Sequence, residues 1–101
     1  MRYSEVRVIR GFKDRRAQAI FEGRSPGKGF PANVIRIARR KLVMLDDAET
    51  LEDLARLPGN RLEPLRGNRT GQYSIRINDQ WRVCFVWIGP DADAVEIVDY
   101  H

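Results

Sequence analysis

The sequence predicts an α+β domain, with an N-terminal strand and two to three helices packed on one face of a mostly antiparallel sheet. Three observations lead there. Apolar residues recur at helical spacing between residues 13 and 57. Beyond residue 61 they switch to strand-like runs, and Gly, Pro, Asn and Asp separate those runs from one another. The 101 residues suit a single domain, 1–101, large enough for one modest core without disulfides or a metal.

The alternation in "EVRVIRGF", with Val6, Val8 and then Ile9 apolar, gives a first strand. Lys13 to Glu22 holds good helix formers, and Gly23 supplies a C-terminal cap. "RSPGKGF" reads as loop from its proline and two glycines. Pro31 opens a second helix at the first helical position, where its missing N–H is no loss. Val34, Ile37, Ala38, Leu42 and Leu45 form the buried stripe of that helix, and Arg36, Arg39, Arg40 and Lys41 lie largely off it. Thr50 caps a short third helix in a capping box that carries Asp53 where Glu is usual. That helix runs to Leu57, and Pro58-Gly59 ends it. "RLEPL", "GQYSIRI", "WRVCFVWI" and "AVEIVDY" then form four β-type runs, with turns at "RGNRT", "NDQ" and "GPDAD".

The hairpin "YSIRI-NDQ-WRVCF" fixes its own register. A three-residue turn at Asn78, Asp79 and Gln80 pairs Ile77 with Trp81 and Arg76 with Arg82. Strand alternation then gathers Tyr73, Ile75, Ile77, Trp81, Val83 and Phe85 on one face, and Ser74, Arg76, Arg82 and Cys84 on the other. A two-residue turn would mix Arg82 with Ile75 and Ile77. Directly opposed arginines repel. On an uncovered sheet face they invite an anion, and phosphate matches the guanidinium fork. The competing reading puts the two arginines at different depths, each paired with an acid. On the last strand Val95, Ile97, Asp99 and His101 point one way and Glu96, Val98 and Tyr100 the other, for as long as the strand stays regular. Trp81 and Trp87 read as core and rim, and Cys84 as a small filler or a face residue, not a nucleophile.

Charge and composition narrow the chemistry. Eighteen basic and 14 acidic residues leave a net +4. Base gathers in "RIARRK" and "NRLEPLRGNR", acid in "LDDAETLEDL". Such basic runs attract polyanions or simply face solvent. Cys84 and His101 are the sole cysteine and histidine, so an internal disulfide is excluded and a zinc site of N/S type is not expected. No cofactor is implied. No apolar run reaches the roughly 18 residues of a membrane span, and "MRYSEVRVIRGF" lacks a secretion core. A reducing, cytoplasmic setting is expected. The closing Asp99, Tyr100 and His101 read alone as a solvated tail, but beside an arginine-lined face Tyr100 and His101 offer proton donors and acceptors for an RNA 2′-OH or a leaving 5′-oxygen. Arginine beside them can stabilise charge on a phosphorane.

"LEPLRGNRTGQYSIRINDQWRVCF…EIVDYH" resembles the RelE/ParE toxin superfamily and, within it, the HigB-like toxins. "VIRGFKDRRAQAIFEG" and "GFPANVIRIARRKLVMLDDAETLEDL" are similar to the family's first strand and helices, so the resemblance covers about residues 7 to 101. It implies a RelE-like fold and a toxin of a type II toxin–antitoxin system. Such toxins are ribosome-dependent mRNA endoribonucleases (mRNA interferases) that use 2′-OH attack without a metal. The implied partners are mRNA, the ribosome, a cognate HigA-like helix-turn-helix antitoxin and, through it, operator DNA, but no membrane.

Carried over by motif, Arg82, Asp99, Tyr100 and His101 are the catalytic candidates. Arg66, with Arg69 and Arg76, forms the RNA- and phosphate-binding set. Arg36, Arg39, Arg40 and Lys41 are the rRNA-contact candidates, with a solvated face as the alternative. The sequence departs from the family at Glu63, where His is usual. A carboxylate there serves as a general base, orients His101 or an arginine, or marks weakened activity. Gln80 stands where Asn is common, and residues 1–6 extend beyond the usual start, as a native extension or a misassigned initiation site. Two other readings stay open: a ParE-like inhibitor of gyrase, and a degenerate toxin acting only with its antitoxin in promoter regulation.

Overall fold

The computed structural model describes residues 9–99. Tyr100, His101, Val6, Val8 and the extension 1–6 lie outside them. Three helices, α1 (Arg15–Phe21), α2 (Ala32–Asp47) and α3 (Leu51–Ala55), precede four strands, β1 (Glu63–Pro64), β2 (Gln72–Arg76), β3 (Trp81–Ile88) and β4 (Asp91–Asp99). The strands form an antiparallel sheet in the order β1-β2-β3-β4. The fold is α+β, as the sequence predicts.

Local chemistry starts and stops each helix. Asp14 caps α1 by accepting the Arg16 N–H at 2.9 Å. Gly23, at φ 81°, ends it: its N–H bonds the Ile20 carbonyl at 3.1 Å, and the Arg24 N–H bonds the Ala19 carbonyl at 2.8 Å. That pattern needs a left-handed residue, which glycine supplies without strain. Pro31 is the N-cap of α2, one position before the one predicted, because its ψ of 148° is extended. Its carbonyl accepts from Val34 and Ile35 at 3.0 and 3.1 Å. Thr50 and Asp53 form the capping box on α3, each side chain accepting the other's N–H at 3.1 Å. Asp53 also accepts from the Glu49 N–H at 3.0 Å. α3 stops at Ala55, short of Leu57, and Pro58–Asn60 form a 3₁₀ turn.

The β2–β3 register is the one the pattern demands. Arg76 pairs with Arg82, and the Ile77 N–H bonds the Trp81 carbonyl at 2.9 Å. Asn78 holds the turn, its Oδ1 accepting from the N–H groups of Gln80 and Trp81, each at 2.8 Å. The β3–β4 turn is tighter than "GPDAD" suggests. Gly89-Pro90 alone makes it, and Asp91 already pairs with Ile88. The strand continues through a bulge. Between the Cys84–Glu96 and Val86–Asp93 pairs β4 carries one more residue than β3, and Ala94 adopts φ 50°. The bulge resets the alternation, so Ala92, Val95 and Ile97 all reach the core.

The described part of the predicted first strand runs parallel to β4. Bridges join Ile9 to Ala92 and Phe12 to Val95. Asp46 on α2 steadies it, accepting the Ile9 N–H at 3.3 Å.

α1 and α2 pack together and onto β3 and β4. Ile20, Val34, Ala38, Leu42 and Leu45 meet Ile75, Val83, Phe85, Val95 and Ile97 in one core. Each large apolar side chain buried there contributes about 1.5–3 kcal/mol. Phe30 folds the preceding loop onto Trp81, ring centroids 4.9 Å apart, with the Arg16 guanidinium over it at 4.7 Å. Trp81 is buried and Trp87 half-buried, as core and rim.

Leu42→Ala is expected to cost about 2–5 kcal/mol in urea unfolding, and Thr50→Ala about 1 kcal/mol. Equal, small losses from both would mean the helix–sheet interface is not what holds the domain. The amides of Glu49 and Thr50 hold the Asp53 carboxyl below the ordinary aspartate value of 3.8, so the box is fully formed above that value. Its contribution is lost as pH falls through the lower folded value. Asp53→Ala, which removes that carboxylate, should therefore cost less in acid than at neutral pH when followed by urea unfolding.

Candidate functional site

The sheet face away from the helices carries the candidate site. Alternation puts Ser74, Arg82 and Cys84 there, and the Glu63–Ser74 pair adds Glu63 from β1. The face is not the bare arginine-lined surface that the sequence suggests. Its own polar side chains roof it, leaving Ser74 and Cys84 fully buried and Arg82 9% exposed.

Arg82 is held at several points. Its Nε donates to Ser74 Oγ at 2.7 Å and its Nη2 to the Arg61 carbonyl at 2.6 Å. Glu63 Oε1 lies 3.8 Å from Nη2, on a side chain that is 57% exposed. Arg76 turns away to Asp79, Nη2 to Oδ1 at 2.5 Å. That hydrogen bond holds the Asp79 carboxyl below its usual range. The opposed arginines thus sit with different acids, as the competing sequence reading has it. Arg69 is similarly engaged: its Nη1 donates to Gln72 Oε1 and Glu96 Oε2, each at 3.1 Å. Lys13 approaches the same Glu96 carboxylate at 3.6 Å. Arg66 is exposed where the Gly67–Arg69 turn begins.

Asp99 ends β4 opposite Trp81, one register pair from Arg82–Val98, and accepts from Gln80 Nε2 at 3.2 Å. Tyr100 and His101 follow it in sequence. Cys84 is fully buried, and desolvation raises its thiol pKa, so it stays protonated near neutrality. That suits the filler reading. Among the described residues no group of three or more His, Cys, Asp or Glu side chains is placed to hold a metal ion.

On the helix side, Arg36, Arg39 and Arg40 are exposed on α2 and make no ion pair among the described residues. They border a groove of about 590 Å³ against the end of α1, floored by Ile20, Ile35 and Val43. Lys41 departs from them. It is 9% exposed, and its Nζ donates to Asn60 Oδ1 at 2.5 Å. Burial lowers its pKa, with Arg40 and Arg76 adding to the effect. Lys41 stands three residues after Ala38 and four before Leu45, a spacing that belongs to the buried stripe. Its charge disguised that position. Sequence reasoning also passed over Asn60 and Arg61, for neither carries a motif signal. Asn60 is fully buried, and Arg61 supplies a backbone oxygen whose aim only the fold reveals.

The arrangement combines an oriented guanidinium with an accessible carboxylate. It can receive a phosphoryl oxygen and hold charge as it develops.

The family model described as "RelE-like toxin of type II toxin-antitoxin system HigB" matches residues 10–101. Toxin HigB-1 of Vibrio cholerae serotype O1 is 39% identical over 77 residues, which is 76% of this chain and 81% of the relative. Endoribonuclease HigB of Proteus vulgaris is 32% identical over 94 residues, covering 93% of this chain and all of the relative. The match runs through the helices, the Arg82 hairpin and the closing strand together, and the chain therefore belongs to the RelE-like HigB toxins of type II toxin–antitoxin systems.

Proposed function

We propose that this toxin is an endoribonuclease of the mRNA-interferase type, cutting translated mRNA on the ribosome without a metal. The observation that carries the reading is Arg82, fixed on a sheet whose last strand leads in sequence to Tyr100 and His101. The RNA 2′-OH attacks the adjacent phosphorus, a P–O bond forms, and the bond to the 5′-oxygen breaks. Arg82 stabilises the charge on the phosphorane. His101 or Glu63 takes the 2′-proton, and Tyr100 or His101 protonates the departing 5′-oxygen. Asp99 orients the closing residues.

Arg66, exposed beside the site, binds flanking phosphate. Arg69 and Arg76 join it by exchanging their carboxylate partners for RNA. Arg36, Arg39 and Arg40 contact rRNA, and the inward-facing Lys41 is removed from that set. A type II toxin implies an antitoxin. We take it to be a HigA-like helix-turn-helix protein that carries the complex to operator DNA, and the setting to be cytoplasmic.

The test compares induced wild-type protein with a variant lacking Tyr100 and His101, mapping mRNA 5′ ends in both. Cleavages within translated frames that vanish on truncation are expected. Equal toxicity from both without cleavage would sink the reading, and inhibited DNA supercoiling would point to gyrase instead. Purified Arg82→Ala should lose about 10²- to 10³-fold in cleavage rate. Glu63→Gln divides the proton roles: a wild-type rate assigns the 2′-proton to His101, and a loss of about 10²-fold or more assigns it to Glu63. Cys84→Ala should keep the wild-type rate. A folded Cys84→Ala protein unable to cut would make the thiol a participant.

A further inference from the structure

Arg82 takes one of its anchors from the main chain, the Arg61 carbonyl. That oxygen points where the backbone aims it, and the backbone there is strained. Arg61 has φ 44° and ψ 58°, a left-handed conformation that strains a non-glycine residue. Its side chain is exposed and brings no burial to offset the strain. The restraint comes from the residue before it. Asn60 is fully buried, and both ends of its amide are used. Nδ2 donates to the Leu54 carbonyl at 3.1 Å, and Oδ1 accepts from Lys41 Nζ at 2.5 Å. The Asn60 N–H bonds the Leu57 carbonyl at 2.9 Å. An ammonium taken from water costs free energy unless it is hydrogen-bonded, so the Lys41–Asn60 bond must persist for Lys41 to stay inside.

We propose that Lys41 and Asn60 are positioning residues for Arg82, locking the Asn60–Arg61 backbone so that the Arg61 carbonyl sets the direction of the guanidinium. A cation buried on α2 thereby governs the aim of a second cation on the opposite face of the sheet. The proposal rests on the role given to Arg82 above.

The experiment is a double-mutant cycle on the full-length toxin, measuring kcat and KM on ribosomes charged with mRNA, alongside urea unfolding. Asn60→Ala should lower kcat about 10- to 100-fold, with KM little changed. The same change in an Arg82→Ala background should cost nothing more. If the losses simply multiply, or if folded Asn60→Ala cuts normally, the pair is structural and the proposal fails while the reading of Arg82 stands. Arg82→Ala cutting at the wild-type rate would overturn that reading and this proposal together. Should Asn60→Ala not fold, Lys41→Met keeps the side-chain length and removes only the charge and the bond. The Arg82 Nη2–H that bonds the Arg61 carbonyl, followed by NMR, should then exchange with solvent at least tenfold faster. An unchanged exchange rate would overturn the proposal.

Discussion

A three-residue turn decides most of this molecule. Asn78 closes it by accepting two consecutive backbone amides, and that closure sets Ile77 against Trp81 and Arg76 against Arg82. Side chains alternate along a strand with a period of two, so a slip of one residue would exchange the faces. Val83 and Phe85 would leave the core, and Arg82 would enter it. Because Ile75, Ile77, Trp81, Val83 and Phe85 are all buried beneath the helices, that slip would forfeit several large burials at once. The register that protects the core is therefore also the one that delivers Arg82 to the opposite face. Fold and candidate chemistry share a single constraint.

The polar face raises the converse problem, since several charges meet on one surface. The molecule solves it by giving each cation a defined place. Arg76 and Arg69 take carboxylates, Asp79 and Glu96. On the helix side of the sheet, Lys41 takes the neutral Asn60 amide. Among the described residues no buried side-chain nitrogen or oxygen lacks a hydrogen-bond partner. A network satisfied in this way holds its members rigidly, and a half-satisfied one would not. Rigidity is what charge stabilisation needs, because donors already in place avoid reorganisation as charge develops.

How much of this the sequence revealed follows the range of the interactions. The hairpin register, the Thr50–Asp53 box and the glycine after α1 obey rules that span a few residues, and each was legible. Pro31 missed its predicted position by one, because N-cap and first helical residue differ only in ψ. The start of β4 was hidden by the bulge at Ala94, which lets Ala92 and Val95 both face inward despite their odd spacing. Lys41 was misplaced because helix periodicity and charge gave opposite answers, and the partner that settled the matter lies 19 residues away at Asn60. Arg61 could not be found at all, since any residue type offers the same carbonyl. Of the candidate site, Arg82 and its strand neighbours were legible from alternation, and what aims Arg82 was not.

The carboxylate at Glu63 gains physical meaning from those anchors. Two of the bonds to Arg82 come from neutral oxygens, the Ser74 hydroxyl and the Arg61 carbonyl. Neutral acceptors orient a guanidinium without cancelling its charge. The Glu63 carboxylate stands farther off, at 3.8 Å, with 57% of its side chain in solvent, where water screens its pull. Arg69 and Arg76 instead donate directly to carboxylates. An incoming phosphate must displace an acid at either of those carboxylate bonds, whereas the Glu63 carboxylate near Arg82 is a screened one. A carboxylate at position 63 is thus compatible with phosphate binding as long as it stays at that distance and exposure. A shift of the β1 pairing that brought Glu63 into direct contact would neutralise the cation, so the short Glu63–Pro64 strand guards the charge of Arg82 as well as extending the sheet.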